Sequence, residues 1–350
     1  MEEDHDTAEG REASRAPCAS LNRKKAALDF ALEGEITNPH LAAFAATPLR
    51  RALLEDARFD YWRRYSRCKK ELIESWAALE QLRRCVRRLF PSSAAADADA
   101  HRTGAGLAFV ELCSGRGCLS MLLAHEFPDA TIHMCDADAR MKLPHLTHPS
   151  MRNVTFHLED VFRDDAEVTV RDAVAEAERT GGKCLVVGVH LCGDLARRAV
   201  ELWRRSGAHA LVLCPCCLPR RRRADAFGFH VADQARKMRV DAYALWCVML
   251  YGLLATGGRD GDGDEKSAPG DGKGDGKSAP GDGDGDGDGE GAIYCNLCVD
   301  EDVTSPRRSF ITAVRRARGG SRGGGVEAAR SRGGGVVPGR GAGKWRIVDR

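Results

Sequence analysis

Three acids stand around a pair of glycines in the middle of this chain. "GLAFVELCSGRGC" runs from an apolar stretch through Glu111 to Gly115 and Gly117, "HMCDADAR" carries Asp136, and "FHLEDVF" carries Asp160. Glycines in a turn after a strand permit tight backbone geometry and let a ligand approach the main chain closely. An acid about 20 residues further on is placed to accept hydrogen bonds from ribose hydroxyls, and Asp136 is that acid. Asp160, one strand over, is placed to accept from an adenine amine. A Gly-x-Gly alone is weak, because a dinucleotide fingerprint wants a third glycine three residues after the second. That position is Ser120. The acids and the turn together point to an adenosine-bearing ligand rather than a nicotinamide dinucleotide. The competing reading of each acid is a solvated strand end.

For these residues to meet, strands must deliver them to one edge. Short apolar strands are expected at 107–112, 131–135, 154–158, 184–189 and 208–214. Helices are expected from residue 118, over about 164–180 and over 194–205. Strands alternating with amphipathic helices imply a parallel sheet with helices on both faces, and ligands then lie beyond the carboxyl ends of the strands. "AYALWCVMLYGLLA", 242–255, reads as a buried helix; a bilayer span needs about 20 residues. "AIYCNLCVDEDVTSPRRSFITAVR" reads as two strands around a Ser-Pro turn, a hairpin at 292–316 that closes the sheet.

The remaining segments differ in kind. Residues 1–20 are expected to be disordered, and 21–90 form a helical extension. In that extension Leu72, Trp76, Leu79, Leu82, Val86 and Leu89 recur at helical spacing. Its other face carries Arg63, Arg64, Lys69, Lys70, Arg83, Arg84, Arg87 and Arg88, either a solvated face or a phosphate-contacting one. The core spans 104–256 before a Gly/Asp-rich insert, 257–291, which cannot bury enough apolar area to order itself. A calcium loop does not fit there: Glu265 stands where an EF-hand needs glycine, and Ile293 where it needs a bidentate glutamate. The tail, 319–350, repeats "SRGGGV" and is a basic Gly/Arg arm, suited to RNA or to low-complexity drift.

Composition narrows the class modestly. With 53 basic and 51 acidic residues, the formal charge of +2 excludes little. Fourteen cysteines with no regular framework read as reduced thiols of an intracellular protein, cytoplasmic or nuclear, with an organelle left open. The acidic start "MEEDHDTAEG" has no apolar stretch, so neither a secretory signal nor a membrane association is expected. Nothing in the sequence fixes an oligomeric state.

"VELCSGRGC" resembles the first motif of the class I S-adenosylmethionine-dependent methyltransferases. The resemblance covers about residues 104–316 and implies a Rossmann-like α/β fold. Its sheet would be doubly wound and seven-stranded, mostly parallel with a reversed last strand, beside the N-terminal helical extension. It implies S-adenosylmethionine as cofactor, with Gly115 and Gly117 cradling the methionine part. Asp136 would hold the ribose, Asp160 the adenine, and Glu111 would lie near the methionine end. A third glycine usual in the motif is replaced by Cys113. "VVGVHLCGDLARRAV", "LVLCPCCLP" and "DEDVTSPRRSFITAV" are similar to a subgroup with a His-Leu-Cys-Gly fourth motif and a double cysteine after strand five. That subgroup includes the tRNA ribose 2'-O-methyltransferases of the acceptor stem and the methyltransferase domain of the glutathione S-transferase C-terminal-domain-containing protein. The tRNA enzymes carry Cys/His zinc modules at the N-terminus, whereas this chain offers there only Cys18, Cys68 and Cys85 without paired spacing.

The chemistry then follows from methyl transfer as an in-line displacement, in which positioning supplies most of the acceleration. For a hydroxyl acceptor, His190 at the mouth of strand four is the candidate base, with Asp194 as its orienter or substitute. A core histidine satisfied by the backbone is the alternative. Cys192, Cys214, Cys216 and Cys217, with Cys295 and Cys298 beyond, admit a zinc site. Small buried thiols are equally at home in a core, so no metal is assigned. A cysteine nucleophile for pyrimidine C5 methylation is a weaker option, since Pro215-Cys216 follows strand five where that chemistry uses a Pro-Cys after strand four. Cys216 and its neighbours are read instead as shaping the acceptor pocket. Arg220, Arg221, Arg222 and Arg223 follow on the substrate side and suit a polyanion. RNA is therefore the expected substrate. A non-catalytic RNA-binding protein on the same fold, or a protein or small-molecule methyltransferase, remains as the alternative.

Overall fold

The central strands are buried along nearly their whole length, so the sheet is covered on both faces. The structure, a computed structural model, describes residues 32, 35–91, 102–220, 229–256 and 293–315. The expectations for 1–20, 257–291 and 319–350, and the arginines 221–223, lie outside the described residues. Seven strands form one sheet: β1 (Leu107–Leu112), β2 (Thr131–Asp136), β3 (Val154–Leu158), β4 (Lys183–Cys192), β5 (Ala210–Cys217), β6 (Ile293–Val299) and β7 (Ser309–Arg315). Their order is β3-β2-β1-β4-β5-β7-β6. The first five pair in parallel, and β7 runs antiparallel to both β5 and β6. This is the expected doubly wound α/β architecture with one reversed strand. Strand order changes direction between β1 and β4, so the loop after β1 opens at the topological switch point.

Side chains alternate across the sheet with period two. Leu107 and Phe109 of β1, Leu185 and Val187 of β4, and Ala210, Val212 and Cys214 of β5 enter one core. Ala108, Val110, Leu112, Cys184, Val186, Leu211 and Leu213 enter the other. The second core is closed by α6 (Asp164–Arg179), α7 (Asp194–Ser206) and α9 (Ala242–Ala255), while α8 (Val231–Met238) packs against α9.

The first core is closed largely from the N-terminus. Helices α1 (Pro39–Ala45), α2 (Pro48–Glu55), α3 (Asp60–Arg63) and the long α4 (Cys68–Leu89) join α5 (Cys118–Glu126) on that face. Phe44, Phe59 and Trp62 are completely or almost completely buried there, each burial contributing roughly 1.5–3 kcal/mol. The helical extension is thus one layer of the fold, with α4 packed on α5, β4, β5 and β7.

Two elements differ from the sequence reading. β4 runs three residues beyond 189 because a bulge at His190, whose φ is +62°, keeps the strand paired with β5 as far as Cys217. Helix α9 buries only Tyr243, Trp246, Cys247, Leu250 and Leu254, and leaves Val248 54% exposed. Its uniform apolarity hides which side meets the sheet. Among the described residues no single helix is long and apolar enough to cross a membrane.

Candidate functional site

The site begins with the turn between β1 and α5. Gly115 has φ +54° and Gly117 φ +72°, the latter standing as the N-cap of α5. A Cβ at Gly117 would lie 2.6 Å from the Met134 methyl carbon, whereas one at Gly115 would meet nothing within 4 Å. The turn is therefore closed against β2 on one side and open on the other. Asp136, the last residue of β2, fixes it: Oδ2 accepts the Gly115 amide at 2.9 Å and Oδ1 accepts the Asp138 amide at 2.9 Å.

Glu111, expected near the methionine end of the cofactor, faces inward. Its carboxylate is 4% exposed and accepts both the Ser120 amide, at 2.9 Å, and the Ser120 hydroxyl. Burial pushes its carboxyl up to about 7, partly offset by those bonds. Ser120, which breaks the dinucleotide fingerprint, is thus the anchor that ties β1 to the first turn of α5.

Asp160 is exposed two residues beyond β3, and its Oδ1 accepts the Phe162 amide at 3.0 Å. Cys113, with φ +54°, lies among these groups. Its thiol is pushed up to about 12 by burial, reinforced by the nearby Asp136, Asp160 and Cys192. The ends of β1, β2, β3 and β4 therefore share one mouth.

Beside the turn lies a cleft of about 490 Å³, lined by Tyr61, Tyr65, Glu71, Gly115, Arg116, Asp138, Arg140 and Met141. Of the expected cofactor residues Gly115 alone lines it; Asp136 holds the Gly115 amide, and Glu111, Gly117, Asp136 and Asp160 are not in its wall. The N-terminal layer supplies the opposite wall. Arg116 sits over both Tyr61, at 4.3 Å, and Tyr65, at 4.2 Å, and donates to the Tyr61 carbonyl at 3.2 Å. Burial holds the Glu71 carboxyl above its ordinary value, against the opposing pull of nearby groups such as Arg116.

His190 reaches this region from β4. Its Nε2 meets a carboxylate oxygen of Glu74, which is 1% exposed while the His190 side chain is 28% exposed. Lys70 Nζ stands 3.4 Å from the other Glu74 oxygen. The residue holding the His190 ring is therefore Glu74, where the sequence suggested Asp194. Asp194 is instead a buried residue in the first turn of α7. The pair has the form of a buried carboxylate fixing the tautomer and orientation of an accessible imidazole. The sequence signal was faint: Glu74, Ala78, Gln81 and Cys85 form a second stripe at helical spacing, and all four are buried.

The thiols divide into two sets. Cys216 Sγ lies 2.7 Å from Cys192 Sγ, 3.4 Å from Cys217 Sγ and 3.3 Å from the His190 carbonyl oxygen. Cys214 is buried with its sulfur toward the Arg307 carbonyl, and Cys295 and Cys298 belong to β6, beyond β7. Arg220 is exposed just past β5. Along the N-terminal helices the basic side chains are largely engaged within the chain. Arg63 and Arg64 pair with Asp60, Arg83 pairs with Glu80 and Glu126, and Arg88 donates to the Tyr294 hydroxyl.

Residues 78–220 match a family model described as a methyltransferase domain. The matched segment runs from within α4 to Arg220, so it contains the glycine turn, Asp136, His190 and the three clustered thiols. No curated protein sequence matches the chain. Among solved structures, the plantazolicin methyltransferase BpumL with SAH is similar at TM-score 0.36 and 8% identity, over 77% of this chain and 94% of its own. Human N-acetylserotonin methyltransferase with SAM is similar at TM-score 0.34 and 12% identity, over 83% of this chain and 66% of its own. A cyclopropane-fatty-acyl-phospholipid synthase-like protein from Lactobacillus casei follows at TM-score 0.24 and 16% identity, over 41% of this chain; the match spans half of that protein.

Proposed function

We propose that this chain is an S-adenosylmethionine-dependent methyltransferase whose acceptor is a hydroxyl of RNA. The observation that carries the reading is the turn at Gly115: its outer side is open, its amide is held by Asp136, and it borders a cleft at the switch point of the sheet. The residues fit the cofactor. Gly115 lets a ligand approach the backbone, Asp136 brings a carboxylate to the turn, and Glu71 offers an acid to a cationic group. When bound, the cofactor supplies a methyl group on a positively charged sulfur.

The chain's own residues do the rest. The cleft walls, with Tyr61 and Tyr65 held by Arg116, position a ligand. His190 accepts the proton of an acceptor hydroxyl, and Glu74 stabilises the imidazolium so formed. Arg220 stands beyond β5 for phosphate contacts, which position a polyanion without reading its sequence.

A second reading, a small-molecule acceptor, is favoured by the internal pairing of Arg63, Arg64, Arg83 and Arg88, which removes much of the basic surface suggested by the sequence. Labelled methyl transfer into total RNA, compared with protein and small-molecule fractions, separates the two. The RNA reading expects label in RNA, lost in His190→Ala, and RNA affinity that falls steeply with salt. Calorimetry with S-adenosylmethionine tests the cofactor: Asp136→Ala should weaken binding about 10- to 100-fold, for loss of charge-assisted hydrogen bonds. Undiminished binding in that variant would remove the assignment of Asp136.

A further inference from the structure

We propose that Cys192, Cys216 and Cys217 form a binding site for a single zinc ion, with three thiolate ligands and a fourth position left open at the mouth beside His190. The three sulfurs come from two neighbouring strands. Cys192 ends β4 and is the register partner of Cys217 at the end of β5. In a regular strand Cys216 and Cys217 would face opposite sides of the sheet. Here the irregular pairing after His190 and the end of β5 bring both to Cys192, at 2.7 Å and 3.5 Å between sulfurs. All three sulfurs lie within 4.8 Å of one another.

Two of the separations, 3.4 Å and 3.5 Å, are close to those of thiolates on a common ion, and the 2.7 Å contact has to open. Zinc–sulfur bonds of about 2.3 Å in tetrahedral geometry put the sulfurs about 3.8 Å apart, so the thiols need to spread by ~1 Å or less. Cys192 and Cys217 are exposed and free to make that adjustment. On binding, each S–H bond gives way to a metal–sulfur bond, and three protons leave to solvent.

The ligand count indicates the kind of site. Structural zinc sites are closed by four protein ligands, whereas sites that act on substrate keep a position open. Among the described residues the cluster offers three ligand atoms and no fourth. Cys216 Sγ is 3.3 Å from the His190 carbonyl, which puts the cluster against the His190 main chain, and an ion with an open position there would serve as a Lewis acid for an acceptor oxygen or sulfur. The other thiol-rich strand, with Cys295 and Cys298, contributes nothing to it.

The inference does not rest on methyl transfer, because metal uptake and cofactor binding are measured separately. Metal-free, reduced full-length protein is titrated anaerobically with Co²⁺. Thiolate-to-cobalt charge-transfer bands and the strong visible bands of a tetrahedral site should appear, saturate at one ion per chain and bleach with one equivalent of Zn²⁺. Cys192→Ser and Cys216→Ser should each weaken the site by more than ~100-fold, since even the outer partners of metal ligands are worth about 10- to 100-fold. A Cys295→Ser/Cys298→Ser protein should match the wild type. Should a serine variant fail to fold, alkylation of the wild type decides, zinc being expected to protect Cys192, Cys216 and Cys217 together. Absence of the cobalt–thiolate bands, full affinity in Cys192→Ser, or zinc-free protein isolated with a Cys192–Cys216 disulfide would each overturn the proposal.

Discussion

The Nε2 of His190 meets the buried carboxylate of Glu74 across the gap between β4 and α4, although 116 residues of chain separate them. A helix that reads as a lead-in thereby completes a histidine in the methyltransferase-matched segment. Glu74→Gln keeps the shape and the hydrogen-bond acceptor but removes the charge that stabilises an imidazolium. The proposed mechanism expects kcat for methyl transfer to fall about 10²-fold or more, with the cofactor Kd and the acceptor KM unchanged. Steady-state kinetics beside calorimetry makes the check, and an unchanged kcat would return Glu74 to a purely structural role.

The two glycines of the turn should separate stability from binding. Both hold positive φ, a conformation that costs an L-residue about 1–2 kcal/mol, so Gly115→Ala and Gly117→Ala should each lower the denaturation midpoint. Gly117→Ala should lower it further, because its methyl collides with Met134 at 2.6 Å. Gly115→Ala places its methyl in the open space beside the cleft and should raise the Kd for S-adenosylmethionine beyond what the stability loss explains. Equal cofactor affinity in that variant and the wild type would mean that no ligand lies against the turn.

The sheet was legible because its strands are short apolar runs whose neighbours alternate sides, as Phe109 and Val110 do. The turn was legible because only glycine takes up φ +54° and +72° so readily. What escaped depends on tertiary contact. Glu74 becomes a partner of His190 only when α4 lies on the sheet, and no local pattern carries that pairing. The Ser120 bonds of Glu111 were not legible either, because an acid near the end of a fully buried strand takes whichever donors the fold brings nearest. The grouping of Cys192 with Cys216 and Cys217 was legible from neighbouring strand ends, but not the departure of Cys214, whose sulfur turns to the Arg307 carbonyl.

The stacking of Arg116 on Tyr61 and Tyr65 ties the N-terminal layer to the glycine turn. Arg116→Ala removes both ring contacts and the bond to the Tyr61 carbonyl, a loss of about 1–3 kcal/mol. Hydrogen exchange should quicken across residues 60–67 while the amides of β1, β4 and β5 stay protected. Unaltered exchange over 60–67 would show that the wall of the cleft is held by other contacts, Trp62 foremost.

Glu111 makes the pH dependence of stability specific. Its carboxyl rises to about 7 in the fold from 4.5, with burial as the main cause. Between those values the folded state holds a proton that the unfolded chain has released, so this residue's contribution falls as pH rises from about 4.5 to 7. The full effect is about 3 kcal/mol. Glu111→Gln carries no such proton and still offers an oxygen to the Ser120 amide. Denaturation of both proteins across pH 5 to about 8 should show the glutamine variant gaining on the wild type as pH rises, while the shared slope from histidines cancels in the difference. A constant gap would mean that the Ser120 bonds outweigh burial and keep Glu111 ionised throughout.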